Sequence, residues 1–155
     1  LRAKHDQPLS LWVGLGGALG AISRFSVDQG LYGWMLDGPL PAFSATLTVN
    51  LLGSFLIGLV AVLIADERRG QPSGKRAAWR AFLMTGFLGG MTTASLFSLE
   101  LLWHLKAGLY LPAMTYVLAT LLLCPLAAWL GYRWGRAGYL RYLRRHRLAR
   151  PESTE

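Results

Sequence analysis

The sequence predicts an all-α membrane protein with four transmembrane helices. Three observations carry that reading. Hydrophobic residues make up 53% of the chain and charged ones 15%, against about 45–50% and about 25% in soluble domains. Uncharged runs as long as the ~30 Å hydrocarbon core recur along the chain, at ~1.5 Å per helical residue. Basic residues stand beside those runs and not within them. With 155 residues one domain is expected. The net charge of +8 gathers at helix ends, which argues against a nucleic-acid stripe.

The first span covers about residues 9–35. It is uncharged from Leu9 to Ser23, after which Arg24 and Asp28 lie one helical turn apart and can pair. A cleaved signal peptide competes with it, because Arg2 and Lys4 precede an apolar stretch holding Ala18, Gly20 and Ala21. Three later spans weigh against that alternative. The second span, about 43–65, has no charge between Phe43 and Ala65 and is the clearest. The third, about 81–105, holds GFLGGMTTASLFS. There Gly89 and Gly90 precede Met91, Thr92 and Thr93, and mid-helix glycine costs about 1 kcal/mol against alanine, so a helix break is expected. The fourth, about 107–132, contains Pro112 and Pro125, which membrane helices tolerate when neighbours satisfy the freed backbone groups.

Residues 1–135 thus read as a four-span unit and 136–155 as a basic tail. From Arg133 to Arg150, arginines alternate with Trp134, Tyr139, Leu140, Tyr142 and Leu143. An amphipathic helix on an anionic membrane face and a solvated end that fixes topology fit this stretch about equally. Two basic residues precede the first span, five (Arg68, Arg69, Lys75, Arg76 and Arg80) lie between the second and third, and seven follow the fourth. The other side has Lys106 and at most Arg24, so both termini are expected in the cytoplasm.

Helices in lipid pack through small residues, so the four-residue spacings Gly16–Gly20, Gly17–Ala21 and Gly86–Gly90 mark close contacts. Outside the polar connecting loop, the buried polar residues from Phe43 to Leu99 are Thr46, Thr48, Asn50, Ser54, Thr85, Thr92, Thr93, Ser95 and Ser98, with no carboxylate. Hydroxyls and an amide donate hydrogen bonds without charge, which suits a small anion better than a cation or proton relay. Hydroxyls in membrane helices also commonly bond their own backbone or join helices. Asn50 stands apart, since an amide in hydrocarbon needs partners at both ends. Tyr116, Thr120 and Cys124 recur every four residues and share one helix face.

The lone cysteine allows no disulfide framework or Cys-rich metal site. No Ser-His-Asp set, metal-spaced cluster or phosphate loop points to an enzyme. His104 follows Glu100 by one turn and reads as an interfacial pair. A proton-coupled multidrug exporter would need a mid-membrane carboxylate, whereas Asp28 and Glu100 fall near span ends.

The segments GGALGAISRF at 16–25, ATLTVNLLGSFLIGL at 45–59 and GFLGGMTTASLFSLE at 86–100 resemble the small Fluc (CrcB-type) bacterial fluoride channels, and the likeness runs from about Leu11 to Tyr132. The resemblance implies a fluoride-selective channel subunit of the bacterial plasma (inner) membrane, which confers fluoride resistance by passive efflux. It also implies an antiparallel, dual-topology dimer with two fluoride pathways along its interface and a structural sodium ion on the twofold axis. Carried over by motif, the fluoride pathway comprises Asn50, Phe97, Thr93, Ser95, Tyr116, Thr120, Cys124, Thr46, Arg24 and Glu100. The backbone carbonyls of Gly89 and Thr92 would hold the sodium. Two positions depart from the pattern: Ala94 replaces a first pore phenylalanine, and Leu96 replaces a small hydroxyl residue. The alternative is therefore a non-conducting or half-active partner in a heteromeric fluoride channel. The expected partners are fluoride, membrane lipid, and a second copy or an oppositely oriented homologue, with no nucleic acid.

Overall fold

The computed structural model describes residues 8–35, 44–64 and 74–148, and every regular element among them is helical. Arg2, Lys4, Arg68, Arg69 and Arg150, counted above as topology signals, lie outside the described residues. Helix α1 spans Leu9–Met35 and α2 spans Ser44–Ile64. Helix α3, Lys75–Arg80, passes directly into a wider π-helical segment, Ala81–Leu88, and then into the short α4, Gly89–Met91. Helix α5 is Ala94–Lys106 and α6 is Tyr110–Leu148.

Three helical runs have the length and composition to cross a membrane: Ala45–Val62, Lys75–Lys106 and Tyr110–Tyr142. Helix α1, with 27 residues, is long enough, but its glycines and serines together with Arg24 and Asp28 leave it without a stretch as apolar as those three runs. Helix α6 continues unbroken through Pro125 and past residue 135, so the basic segment expected as a separate tail extends the fourth helix as far as Leu148.

Close backbone contacts set the packing. A Cβ at Gly16 or Gly20 would run into the carbonyls of Phe82 or Phe87, and one at Gly90 would lie 2.5 Å from Gly17 O. The small-residue spacings mark close contacts, as expected from sequence, and the structure shows that they join α1 to the third helical run. A second contact of this kind, between α2 and α6, was not anticipated. There a Cβ at Gly58 would strike Ala128 O, and one at Gly131 would strike Phe55 O. The four-residue spacing Ala127–Gly131–Gly135 in α6 is the signal that could have revealed it.

These contacts also fix direction. Gly16 meets Phe82 and Gly20 meets Met91, so α1 runs parallel to the third run; Gly131 meets Phe55 and Gly135 meets Val62, so α2 runs parallel to α6. The start of α1, the end of α2, the start of α3 and the end of α6 therefore gather at one end of an up-down-up-down bundle. Ala45, Val49, Leu88, Met91, Ala113 and Tyr116 form a small buried core. Leu111, Leu121 and Leu122 are exposed on the outside of α6, as a lipid-facing surface requires.

Candidate functional site

Between α4 and α5 the backbone leaves the helical region. Thr92 (φ −76°, ψ 150°) and Thr93 (φ −143°, ψ 122°) are extended. Gly89 itself is helical (φ −68°, ψ −35°) and Gly90 serves close approach to α1, so the two β-branched threonines carry the interruption. Leaving a helix within an apolar layer strands backbone donors and acceptors that water cannot reach. Asn50 of α2 answers for Thr93. Its Nδ2 donates to Thr93 O at 3.0 Å, and its Oδ1 accepts from Thr93 N at 2.8 Å. This pairing also fixes which way the amide points, since a peptide N–H must face an oxygen and a carbonyl must face an N–H. The second Nδ2 hydrogen has no partner among the described residues.

Thr93 then caps α5, its Oγ1 accepting from Leu96 N at 3.2 Å and lying 3.2 Å from Ser95 Oγ. Thr92 turns back on its own helix, donating from N and from Oγ1 to Leu88 O. In a continuous helix Thr93 N–H would serve the Gly89 carbonyl four residues earlier; here it serves Asn50 instead.

Two turns into α5, Glu100 is 4% exposed and held by two hydroxyls on neighbouring helices. Thr46 Oγ1 donates to its Oε1 and Tyr116 OH to its Oε2, each at 2.7 Å. Both donors are themselves buried, Thr46 at 1% and Tyr116 at 0% exposure. Glu100 lies six residues before the end of α5, beside the starts of α2 and α6, and hydroxyls from both helices close over it. His104 Nδ1 lies 2.7 Å from the Glu100 backbone oxygen.

The Phe97 ring lies against Tyr116, with centroids 4.9 Å apart and planes tilted by 59°. Further along the same face of α6, Thr120 Oγ1 is buried with no partner among the described residues, and the Cys124 thiol meets the Ser54 side chain of α2. Asn50, Thr93 and Ser95 thus form one hydrogen-bonded group and Thr46, Glu100 and Tyr116 a second, with Phe97 packed on the latter. Arg24 stands outside both groups. Its Nη1 lies 3.9 Å from Asp28 Oδ2 on α1, while Arg24 Nε and Asp28 Oδ1 are buried without partners among the described residues. Ala94 opens α5 as an exposed residue.

Residues 11–132 match the family described as CrcB-like protein, Camphor Resistance (CrcB). The chain belongs to the CrcB family. Among CrcB-type relatives, a protein of Magnetococcus marinus is 42% identical over 125 residues, covering 81% of this chain and 95% of its own length; it is called fluoride-specific ion channel FluC. A protein of the same name from Rhizobium meliloti is 43% identical over 128 residues, covering 82% and 95%. A third so named, from Methylococcus capsulatus, is 43% identical over 125 residues, which cover 79% of this chain and 51% of that longer protein. The CrcB match takes in both hydrogen-bonded groups and stops before the basic part of α6.

Proposed function

We propose that this chain is a subunit of a fluoride-selective channel that lowers cytoplasmic fluoride by passive efflux. The observation that carries the proposal is its CrcB membership together with relatives named fluoride-specific ion channels. The interior chemistry agrees. An anion that sheds its water needs donors that do not bind too tightly to let go. The spare Asn50 N–H, the hydroxyls of Thr93, Ser95 and Thr120, the Cys124 thiol and the positive ring edge of Phe97 are donors of that kind. Arg24 would sit at a vestibule, drawing anions toward the entrance. Glu100 would hold Thr46 and Tyr116 in place.

Hydrogen fluoride crosses membranes as a neutral weak acid and dissociates in a less acidic cytoplasm. An inside-negative potential then drives the anion outward by about 2.3 kcal/mol per 100 mV, so no energy source is needed. The chain would lie in the bacterial inner membrane with α1 as a fourth span and both termini cytoplasmic. Two copies would pair antiparallel, with a pathway along each side of the contact. A sodium ion on the axis would be held by the Gly89 and Thr92 carbonyls, and the donor set fits: the helical donor to Gly89 O is diverted to Asn50, leaving neutral backbone oxygens of the kind a hard cation takes. When bound, the ion would supply charge compensation for those carbonyls.

A second reading, a half-active subunit that needs an oppositely oriented homologue, is favoured by Ala94 and by the gathering of basic residues at one end of the bundle. The test for both is fluoride efflux from liposomes holding the purified chain alone. Fast, fluoride-selective efflux supports a self-sufficient channel; efflux only after co-reconstitution with a homologue supports the second reading; chloride efflux as fast as fluoride efflux would overturn both.

A further inference from the structure

The bundle brings Trp12 (α1), Lys75, Arg76, Trp79 and Arg80 (α3), and Trp129, Arg133, Trp134, Arg136, Arg141 and Arg144 (α6) to the same end. The opposite end holds Lys106 among the described basic residues. Trp79 and Trp134 are exposed, at 56% and 69%, and so are the guanidinium-bearing Arg80, Arg133 and Arg136. The Arg133 guanidinium lies 4.9 Å from the centroid of the Trp129 ring. Counting from Tyr110 at ~1.5 Å per residue, Trp129 lies ~30 Å along α6, the thickness of the hydrocarbon core. Trp129 and Trp134 therefore stand at the level where indole rings concentrate, between acyl chains and water. Arg133 and Arg136 belong to the same layer. Arg141 and Arg144 follow one to three turns further out, on the part of α6 that outruns the bilayer.

We propose that this end of the bundle is a binding surface for anionic phospholipid headgroups. The tryptophans set the depth, and Arg80, Arg133 and Arg136 present forked N–H donors to lipid phosphates from α3 and α6. Guanidinium matches phosphate oxygens in pairs, which a zwitterionic headgroup offers only alongside a competing ammonium. Aromatic packing stiffens the surface. Trp79 and Trp12 both set their rings edge-on to Phe82, with centroids 5.9 and 6.4 Å away. Gly135, backed against Leu59 and Val62, holds this stretch of α6 to α2 so that its arginines face outward. Arg141, about 7.5 Å beyond Arg136 along α6 at ~1.5 Å per residue, extends the positive field within one Debye length, ~8–10 Å. This surface lies beyond the polar interior assigned to the ion, although it rests on the membrane-spanning reading.

The experiment uses the full chain in phosphatidylcholine vesicles doped with brominated phosphatidylglycerol or, separately, brominated phosphatidylcholine. Bromine quenches nearby indole fluorescence. Four of the chain's six tryptophans, Trp12, Trp79, Trp129 and Trp134, are at this end, so the signal reports it. The expected result is a preference of at least about fivefold for the anionic lipid, the value of roughly one arginine near a charged surface, lost at ~1 M salt. Arg80→Gln/Arg133→Gln/Arg136→Gln should bring the two lipids to equal quenching, while Lys106→Gln at the other end leaves the preference intact. Equal quenching in the unmodified chain, a preference that survives the triple substitution, or one abolished by added inorganic phosphate alone would each overturn the proposal. Absence of quenching by either lipid would overturn the membrane-spanning reading with it; fluoride efflux measured on the same vesicles shows separately whether the channel reading stands.

Discussion

Asn50 holds both polar groups of the Thr93 peptide, its amide donating to the carbonyl at 3.0 Å and accepting from the N–H at 2.8 Å. The side chain thereby does for one residue what the next strand does in a sheet, and it does so where α4 gives way to α5. Its effects on structure and on conduction can be separated. Asn50→Ala strands a donor and an acceptor in an apolar layer, at about 1–3 kcal/mol each, so its thermal midpoint in detergent should fall clearly. Asn50→Asp keeps the acceptor for Thr93 N–H but replaces both amide donors with charge. Fluoride efflux from liposomes should be abolished while the chain still assembles. Efflux at the unmodified rate would remove Asn50 from the pathway.

The clasp around Glu100 calls for a different measurement. A buried group left without its hydrogen-bond partner costs about 1–3 kcal/mol. Thr46→Val and Tyr116→Phe should therefore each destabilise the fold by roughly that amount. Because both donors serve one carboxylate, their effects should not add. A double-substitution cycle read by denaturant or heat should give a coupling of about 0.5–3 kcal/mol. Strict additivity would mean the two hydroxyls do not share the carboxylate.

Much of this architecture was legible in the sequence because bilayers leave few choices. The uncharged run of α2 and the small-residue spacings of α1 and the third run announced both a span and its contact. The shared face of Tyr116, Thr120 and Cys124 followed from helical period alone. The clasp on Glu100 was not legible. It depends on Thr46, Glu100 and Tyr116 meeting across three helices, a relation of distance and direction that no local spacing encodes. Glu100 was placed by counting residues from the end of its span, and counting says nothing about what folds over it. Thr92 and Thr93, which turn extended, fall within the Gly89–Thr93 stretch where a break was expected, but spacing did not show that Gly90 backs onto Gly17. The α2–α6 contact was missed because Ala127–Gly131–Gly135 sits in a span read only for its polar stripe.

Glycine contacts yield a paired control. Gly131→Ala would force a methyl into the Phe55 carbonyl, and Gly58→Ala one into that of Ala128. Overpacking of this kind costs about 1–3 kcal/mol. Gly30→Ala meets nothing within 4 Å and gains helix propensity, so it should be neutral or stabilising by up to about 1 kcal/mol. Thermal unfolding in matched detergent should rank Gly30→Ala level with or above the unmodified chain and both α2–α6 variants below it. A Gly131→Ala protein as stable as the unmodified chain would show that α2 and α6 can move apart without cost.

Orientation is the last and most consequential expectation. The described basic residues of α3 and of α6 lie at one end of the bundle, and Lys106 at the other. Lys and Arg near helix ends set which side stays in the cytoplasm. A chain that inserts both ways needs a near balance, and this one is far from balanced, so expressed alone it should favour one orientation, basic end inward. An antiparallel pair of identical chains would then form rarely, whereas a homologue with the reversed bias would supply the missing partner. Such a partner could also bring the phenylalanine that Ala94 lacks, leaving one complete aromatic pathway per assembly. Tag-accessibility mapping in intact cells addresses orientation, and fluoride efflux addresses function. The expected outcome is protection of both termini from external reagent and slow efflux for the chain alone, with efflux rising on co-expression of an oppositely biased homologue. Finding the termini equally on both faces together with fast efflux would establish a self-sufficient homodimer, in which the basic end meets the membrane from both sides and Ala94 costs little.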